Sequence, residues 1–341
     1  MRPFRYEHAG DRSQALHLAN ASEDRTASAH ITAPVQYLAG GTTLIDLMKL
    51  DVMRPKVLID INALQAQHGE IAAGPDGLRL GALARMSDAA EHPAVRRDYP
   101  MIAEALELAA SPQIRNMASL GGNVLQWTRC AYFRDPSWAA CNKRRPGSGC
   151  AAMEGVNRRL AVLGTSGHCI ANYPGDLAVA LAALGASVDV EGPAGRRVLA
   201  FEALHRLPGE TPHIETNLTP GELITGFSVP AGPWTRRSLF LKIRDRQSYE
   251  FALTSAAVAL HLEDGAVREA RIGLGGLAAK PWRSHEAEAA LNGRRLDEAA
   301  AREAAEAALA PATGHGEAAF KVELGRRTLV RALMQAKAME V

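Results

Sequence analysis

Long hydrophobic runs are missing from this 341-residue sequence. No stretch approaches the ~18 apolar residues of a membrane-spanning helix. The longest, at 177–186 and 256–262, have the length of core helices or strands. Charge of one sign is missing too. Lys plus Arg is 39 and Asp plus Glu is 37, a formal net charge of +2. That balance argues against nucleic acid or an anionic membrane as partner. An aromatic content of 5% argues against a base-stacking platform. Cysteine is scarce: four residues exclude a disulfide-dense secreted scaffold. The start, Met1-Arg2-Pro3-Phe4-Arg5-Tyr6-Glu7-His8, is followed by no apolar stretch of signal-peptide type, so no secretory signal of its own is expected. A folded protein can still be exported with a signal-bearing partner, which keeps both periplasm and cytoplasm open.

What is present fits a soluble globular protein, at 47% hydrophobic and 22% charged. At ~100–200 residues per domain, the length suggests two or three domains. The spacing predicts a strand at 36–39, a Gly-Gly turn, a helix from Leu44 through Leu47 and Met48, and a strand at 56–60. A strand follows at 77–83. Ser87-Asp88 reads as a helix cap, and 101–110 has helical periodicity. From Gly121 to about Tyr173, Gly and Pro punctuate the chain densely and apolar periodicity is weak, which predicts mostly loop. Loops that long inside a compact domain are uncommon without a function. A capped helix at 176–184 and a strand at 187–190 come next. Pro230-Ala231-Gly232-Pro233 marks a domain boundary. Strands at 238–243, 254–262 and 266–274, then helices at 286–310 and 320–338, make an α+β C-terminal domain. There is no internal repeat.

Three features carry chemistry. Ala39-Gly40-Gly41-Thr42-Thr43-Leu44 sets two glycines between a strand and a helix, where backbone N–H groups can approach an anion such as a pyrophosphate. The bland alternative is an ordinary turn with a Thr cap. The G-x-G-x-x-G spacing of a Rossmann site is absent. Ser119-Leu120-Gly121-Gly122-Asn123 is a second such turn, after Arg115-Asn116. Two of them make one shared ligand a better reading than either alone. The third feature is the cysteines, Cys130, Cys141, Cys150 and Cys169, separated by ten, eight and eighteen residues. Four thiolates satisfy a [4Fe–4S] cluster or tetrahedral zinc. Two disulfides and buried free thiols stay open, although zinc sites usually present paired cysteines and this loop has none. The loop is also basic, with Arg129, Arg134, Lys143, Arg144, Arg145, Arg158 and Arg159, and that charge would offset four thiolates. The histidines are scattered, and Glu104/Glu107 reads as a solvated helix face. No Gly-x-Ser-x-Gly elbow or Walker A sequence occurs. Lys242-Ile243-Arg244-Asp245-Arg246 reads as a charged strand end or as a cation near a flavin.

Together these motifs resemble the FAD-binding subunit of the xanthine dehydrogenase/CO dehydrogenase family of molybdenum hydroxylases. The residues that carry the resemblance are Tyr37-Leu38-Ala39-Gly40-Gly41-Thr42-Thr43-Leu44, Ser119-Leu120-Gly121-Gly122-Asn123, Pro174-Gly175-Asp176 and Leu241-Lys242-Ile243-Arg244-Asp245-Arg246. The cysteine loop is similar to one branch, the flavin subunit of periplasmic bacterial aldehyde oxidoreductases. It matches in Arg129-Cys130-Ala131-Tyr132-Phe133, Cys141-Asn142-Lys143-Arg144-Arg145-Pro146-Gly147-Ser148-Gly149-Cys150 and Cys169-Ile170-Ala171.

The resemblance implies a two-lobed FAD-binding region of the PCMH/vanillyl-alcohol-oxidase type at 1–230. Its lobes would be about 1–60 and 61–230, with the cysteine loop at 123–173. A CO-dehydrogenase-flavoprotein-type C-terminal α+β domain at 234–341 would follow. FAD would contact Gln36, Tyr37, Leu38, Ala39, Gly40, Gly41, Thr42, Thr43 and Leu44, then Ser119, Gly122 and Asn123. Asp176 would meet its ribityl or adenosine part, and Lys242 would lie near the isoalloxazine. Gly175 departs from that branch, which has Ser before the aspartate. Cys130, Cys141, Cys150 and Cys169 would hold a [4Fe–4S] cluster. The implied assembly is a heterotrimer with a small [2Fe–2S] subunit and a large molybdenum-cofactor subunit that oxidises the aldehyde. This chain would pass electrons to an external acceptor, with no catalytic residue of its own and no membrane span. The periplasm would be reached through a partner's signal. A stand-alone flavin oxidase and a zinc-stabilised adaptor are the rival readings.

Overall fold

Three sheets organise the chain, whose computed structural model describes residues 1–21 and 29–341. Strands β1 (Arg5–His8), β2 (Val35–Leu38) and β3 (Val57–Asp60) form a parallel sheet in the order β1-β3-β2, with Val35 opposite Val57 and Leu38 opposite Asp60. Parallel neighbours need a crossover, and the helix Leu44–Lys49 supplies it. It buries Leu47 and Met48.

Strands β4 (Ile71–Gly74), β5 (Gly77–Gly81), β6 (Ser187–Gly192), β7 (Gly195–Ala200) and β8 (Leu223–Pro230) form an antiparallel sheet, order β4-β5-β8-β6-β7. Its central strand, β8, has no counterpart among the sequence expectations. The third sheet, order β12-β11-β10-β9, contains β9 (Ser238–Ile243), β10 (Thr254–Glu263), β11 (Ala266–Gly275) and β12 (Trp282–Arg283), all antiparallel.

Side chains on β10 alternate between two cores, as the period of two along a strand requires. Ala257 and Ala259 join the core of the first domain, while Ala256, Val258 and Leu260 join that of the C-terminal helices Glu298–Leu309 and Phe320–Lys337. The helix Asp176–Ala183 is buried on every side because it lies between the helix Pro100–Glu107 and this sheet. Burying Leu177 and Leu181 there contributes ~1.5–3 kcal/mol each. Arg271 donates to Leu184 O at the helix end, 2.9 Å. One core therefore crosses the boundary near Pro230.

Some local expectations shift. Ser87 and Asp88 lie inside the helix Met86–Glu91, entered from Arg85 without a side-chain cap. Asp176 does not cap its helix either; its N-cap is Gly175. The tract 286–310 splits into His285–Leu291 and Glu298–Leu309, because Gly293 has φ +74° and Asp297 Oδ1 accepts from Ala300 N to start a new helix. The segment after Gly121 is mostly irregular, apart from the ends of Leu120–Val124 and the turn Ala131–Arg134. It packs onto the first sheet and its helix, with Trp127, Phe133, Cys130 and Ile170 in one core with Leu47, Met48 and Leu58.

Candidate functional site: a nucleotide cavity beside four thiols

A cavity of about 180 Å³ lies between the two Gly turns. Every residue from Gln36 to Leu44 lines it, with Ser119, Gly121 and Gly122 facing them. Gly40 makes this juxtaposition possible. A Cβ there would sit 1.9 Å from Met117 O, so only glycine lets the first loop lie on the second. Gly41 has φ +71°, a left-handed conformation that side chains disfavour. Among the described residues, the N–H groups of Gly40, Gly41, Thr42 and Thr43 have no protein acceptor. Four free donors in one loop form a cradle for anionic oxygens. On the facing loop, Ser119 Oγ accepts from Gly122 N at 3.2 Å. Gly121 N and Leu120 N donate to Ala82 O and Ala84 O, which hold that loop to the end of β5.

Arg85 and Asn62 stitch the two loops together and were not foreseen from the sequence. Arg85 donates to Met117 O at 2.6 Å and to Asn62 Oδ1 at 3.0 Å. Asn62 Nδ2 donates to Ala39 O at 3.1 Å and to Asp60 Oδ1 at 2.7 Å. The far wall is also new: Trp127, Ile214, Glu215, Thr216, Leu218, Leu223 and Ile224 line it. Two side chains of the first loop are already engaged. Gln36 Nε2 donates to His30 O at 2.6 Å, and Tyr37 OH donates to Gly221 O at 2.9 Å. Burial pushes the Tyr37 hydroxyl well above its ordinary pKa.

The remaining sequence candidates lie elsewhere. Asn123 is not in the cavity lining; its Nδ2 meets Met86 Sδ at 3.3 Å. Asp176 and Lys242 pair with each other, Oδ2 to Nζ at 2.6 Å, and Lys242 also donates to Leu108 O at 3.0 Å. Both are buried and neither lines the cavity. Burial raises the Asp176 carboxyl, with Lys242 and Arg244 pulling it back.

All four cysteines line a single smaller cavity, together with Phe133, Ala140, Asn142, Lys143, Ala152 and His168. Cys141 and Cys150 face each other across an antiparallel bridge, and Ser166 and Cys169 do the same. All four are free thiols. Burial pushes the Cys130 thiol up to about 12 and raises Cys169 as well, with Lys143 pulling the latter down. The loop's positive charge is placed differently from the sequence expectation. Arg129 and Arg134 pair with Asp46, while Arg158 and Arg159 pair with Asp245. Arg144 caps the carbonyls of Phe133 and Asp135. Among the seven basic residues named above, only Lys143 lines the thiol cavity.

Comparison with known proteins decides the family. The profile of the FAD binding domain in molybdopterin dehydrogenase matches residues 2–232, and that of the CO dehydrogenase flavoprotein C-terminal domain matches 240–336. The chain belongs to the FAD-binding subunits of the xanthine dehydrogenase/CO dehydrogenase family. It is 44% identical over 321 residues to the aldehyde oxidoreductase FAD-binding subunit PaoB of Escherichia coli K12, covering 94% of this chain and 96% of that one. It is 28% identical over 310 residues to the carbon monoxide dehydrogenase medium chain of Afipia carboxidovorans, covering 88% of each. Among solved structures, carbon monoxide dehydrogenase from Hydrogenophaga pseudoflava superposes with a TM-score of 0.73 at 25% identity, over 98% of this chain and 97% of that one.

The four free N–H groups are donors that an anionic group in this cavity could use. The cysteine site fits a four-thiolate group in its donor chemistry: four thiols and no other acidic ligand line one apolar cavity. Among the described residues, no group of three or more His, Cys, Asp or Glu side chains is placed so as to hold a metal ion. Among them, too, no helix is long and apolar enough to cross a membrane.

Proposed function

We propose that this chain is the FAD- and [4Fe–4S]-carrying electron-transfer subunit of a heterotrimeric molybdenum-dependent aldehyde oxidoreductase. In that assembly it takes electrons from the [2Fe–2S] clusters of a small subunit and passes them to an external acceptor. The aldehyde is oxidised on a large molybdenum-cofactor subunit, so this chain binds no aldehyde. Export to the periplasm uses a signal on a partner. The observation that carries this reading is the convergence of all four thiols on one cavity next to the dinucleotide cradle, in a chain 44% identical to an aldehyde oxidoreductase subunit. The division into a FAD-binding domain at 1–230 and a C-terminal domain at 234–341 belongs to the same reading.

The residues have distinct tasks. The N–H groups of Gly40, Gly41, Thr42 and Thr43 bind the pyrophosphate, with Ser119 and Gly122 opposite. Leu38, Leu44, Trp127 and Ile224 exclude water from the cavity. Cys130, Cys141, Cys150 and Cys169 hold the cluster. When bound, FAD supplies reversible two-electron chemistry that links one-electron centres to an acceptor. The Asp176–Lys242 pair lies outside the lining and fixes the helix Asp176–Ala183 to β9, which supports the site from behind.

The test is purification of the natural assembly. Two co-purifying subunits, FAD, and iron with acid-labile sulfide on this chain are expected. Cys150→Ser should lose the chain's iron and sulfide. A colourless zinc protein, or unchanged iron in that variant, would overturn the cluster assignment. Turnover of an organic donor by this chain alone would overturn the partner assignment.

A further inference from the structure

A small chamber separates the nucleotide cavity from the thiol cavity, and one ion pair spans it. Glu215 lines the nucleotide cavity and also a small chamber behind it. Lys143 and Cys169 line that chamber and the thiol cavity. Lys143 Nζ donates to Glu215 Oε1 at 2.5 Å and to Pro212 O at 2.9 Å, with its side chain 9% exposed. A second bridge runs alongside. Trp127 lines the nucleotide cavity and stacks on Phe133 of the thiol cavity at 5.6 Å, 10° from parallel. Lys143 Nζ lies 5.9 Å from the centre of the Trp127 ring. Cation, carboxylate and stacked rings thus form one continuous contact between the two sites.

We infer that the Lys143–Glu215 pair couples the two sites, so that filling the thiol cavity tightens the hold of the nucleotide cavity on FAD. This rests on the cluster reading given above. Lys143 is two residues from Cys141, in backbone with little regular structure, so its position depends on what holds the thiols. A thiolate-bound group fixes that backbone and keeps the ammonium on Glu215. Without it, the ammonium is less firmly placed. Glu215 then stands in the nucleotide wall as a poorly compensated, half-buried carboxylate facing an anionic dinucleotide. Coupling between binding sites is reciprocal, so FAD also protects the thiol-bound group.

The test uses the purified assembly and reads FAD retention rather than turnover. Iron is removed stepwise with a chelator, and released FAD is followed by its fluorescence. In the wild type, iron loss should weaken FAD retention by roughly 5–150-fold, the usual span of such coupling. Lys143→Met should keep its iron and yet release FAD in the same way. The double variant Lys143→Met/Glu215→Gln removes both charges. It should regain retention and lose its dependence on iron. Glu215→Gln alone, which keeps the side-chain shape, should likewise uncouple FAD from iron and serves where Lys143→Met does not fold. FAD retention independent of iron in the wild type, or an equal dependence in the variants lacking Glu215, would overturn the coupling. A wild type without iron or without FAD would instead overturn the function proposed above.

Discussion

Replacing Gly40 by alanine adds one methyl group at the point where the two loops of the nucleotide cavity touch. The added carbon would lie 1.9 Å from Met117 O and 2.7 Å from Met117 C, and real Cβ atoms essentially never approach within 3.0 Å. The loops must separate by the difference, at least 1.1 Å. Met117 cannot yield freely. Its carbonyl accepts from Arg85 at 2.6 Å, and the next carbonyl, of Ala118, accepts from Met86 N. Breaking the Arg85 bond costs about 1.5–3 kcal/mol, the range for a hydrogen bond to a charged group. A displacement of ~1 Å between positioned groups costs roughly 100-fold where geometry decides the outcome. FAD affinity should therefore fall by about 100-fold, or ~2.7 kcal/mol. Fluorescence titration of the flavin-free assembly measures it. Gly74→Ala is the control, because nothing stands within 4 Å of that position and its φ is not left-handed. If Gly40→Ala binds FAD as the wild type does, the two loops do not form one site.

Two further outcomes follow from buried lysines. Lys321 donates to the carbonyls of Leu160 and Gly276 and has no acidic partner among the described residues, and burial pushes its pKa down to about 7. In the unfolded chain it titrates near ~10.4, so between about pH 7 and 10 the unfolded state binds more protons and stability rises with pH. Relative to Lys321→Met, the wild type should gain up to ~1.4 kcal/mol per pH unit across that window in urea unfolding, and parallel curves would show that Lys321 does not titrate there. Lys242→Met leaves Asp176, 5% exposed, without its cation and should cost about 3–5 kcal/mol. Adding Asp176→Leu should restore most of that loss, and no recovery would mean the pair is not the source.

Strands and helices of the C-terminal domain were legible because their signal is periodic and local. The alternation in β10 and β11 and the Ala-rich pattern of Glu298–Leu309 appear within ten or twelve residues. Both Gly turns and the cysteine grouping were legible for the same reason. What escaped depends on contacts between distant positions. Arg85 and Asn62 look like ordinary polar residues until folding brings Ala39 and Met117 to either side of them. Glu215 carries no local mark, since its role comes from Lys143, 72 positions earlier. The arginines of the cysteine loop were read as a positive shell for thiolates. Four of them, Arg129, Arg134, Arg158 and Arg159, pair instead with Asp46 and Asp245, carboxylates that the sequence could not place beside them.

That last displacement changes how the thiol site is held. Between Trp127 and Tyr173 the backbone has few ladder partners, so side chains satisfy it. Asn142 donates to His168 O at 2.9 Å and accepts from Gly149 N at 2.9 Å, and Ser148 Oγ accepts from Cys141 N at 3.1 Å. Arg144 occupies three carbonyls, those of Phe133, Asp135 and Trp138, and Tyr132 OH accepts from Val156 N at 2.7 Å. Such single links open more readily than a sheet, because no neighbouring bond is shared. The segment is also held by its apolar contact with Leu47 and Met48 and by backbone links such as Val162 N to Leu277 O and Tyr173 N to Ala278 O, and on the cluster reading its four thiols would add a further tie. Those same contacts position Trp127, which walls the nucleotide cavity. A helix in place of this segment would fix that wall outright. On the proposed cluster reading, an irregular chain stapled at four sulfurs would fix it only with the staple present, which would make the thiol-bound group and the dinucleotide parts of one folding unit.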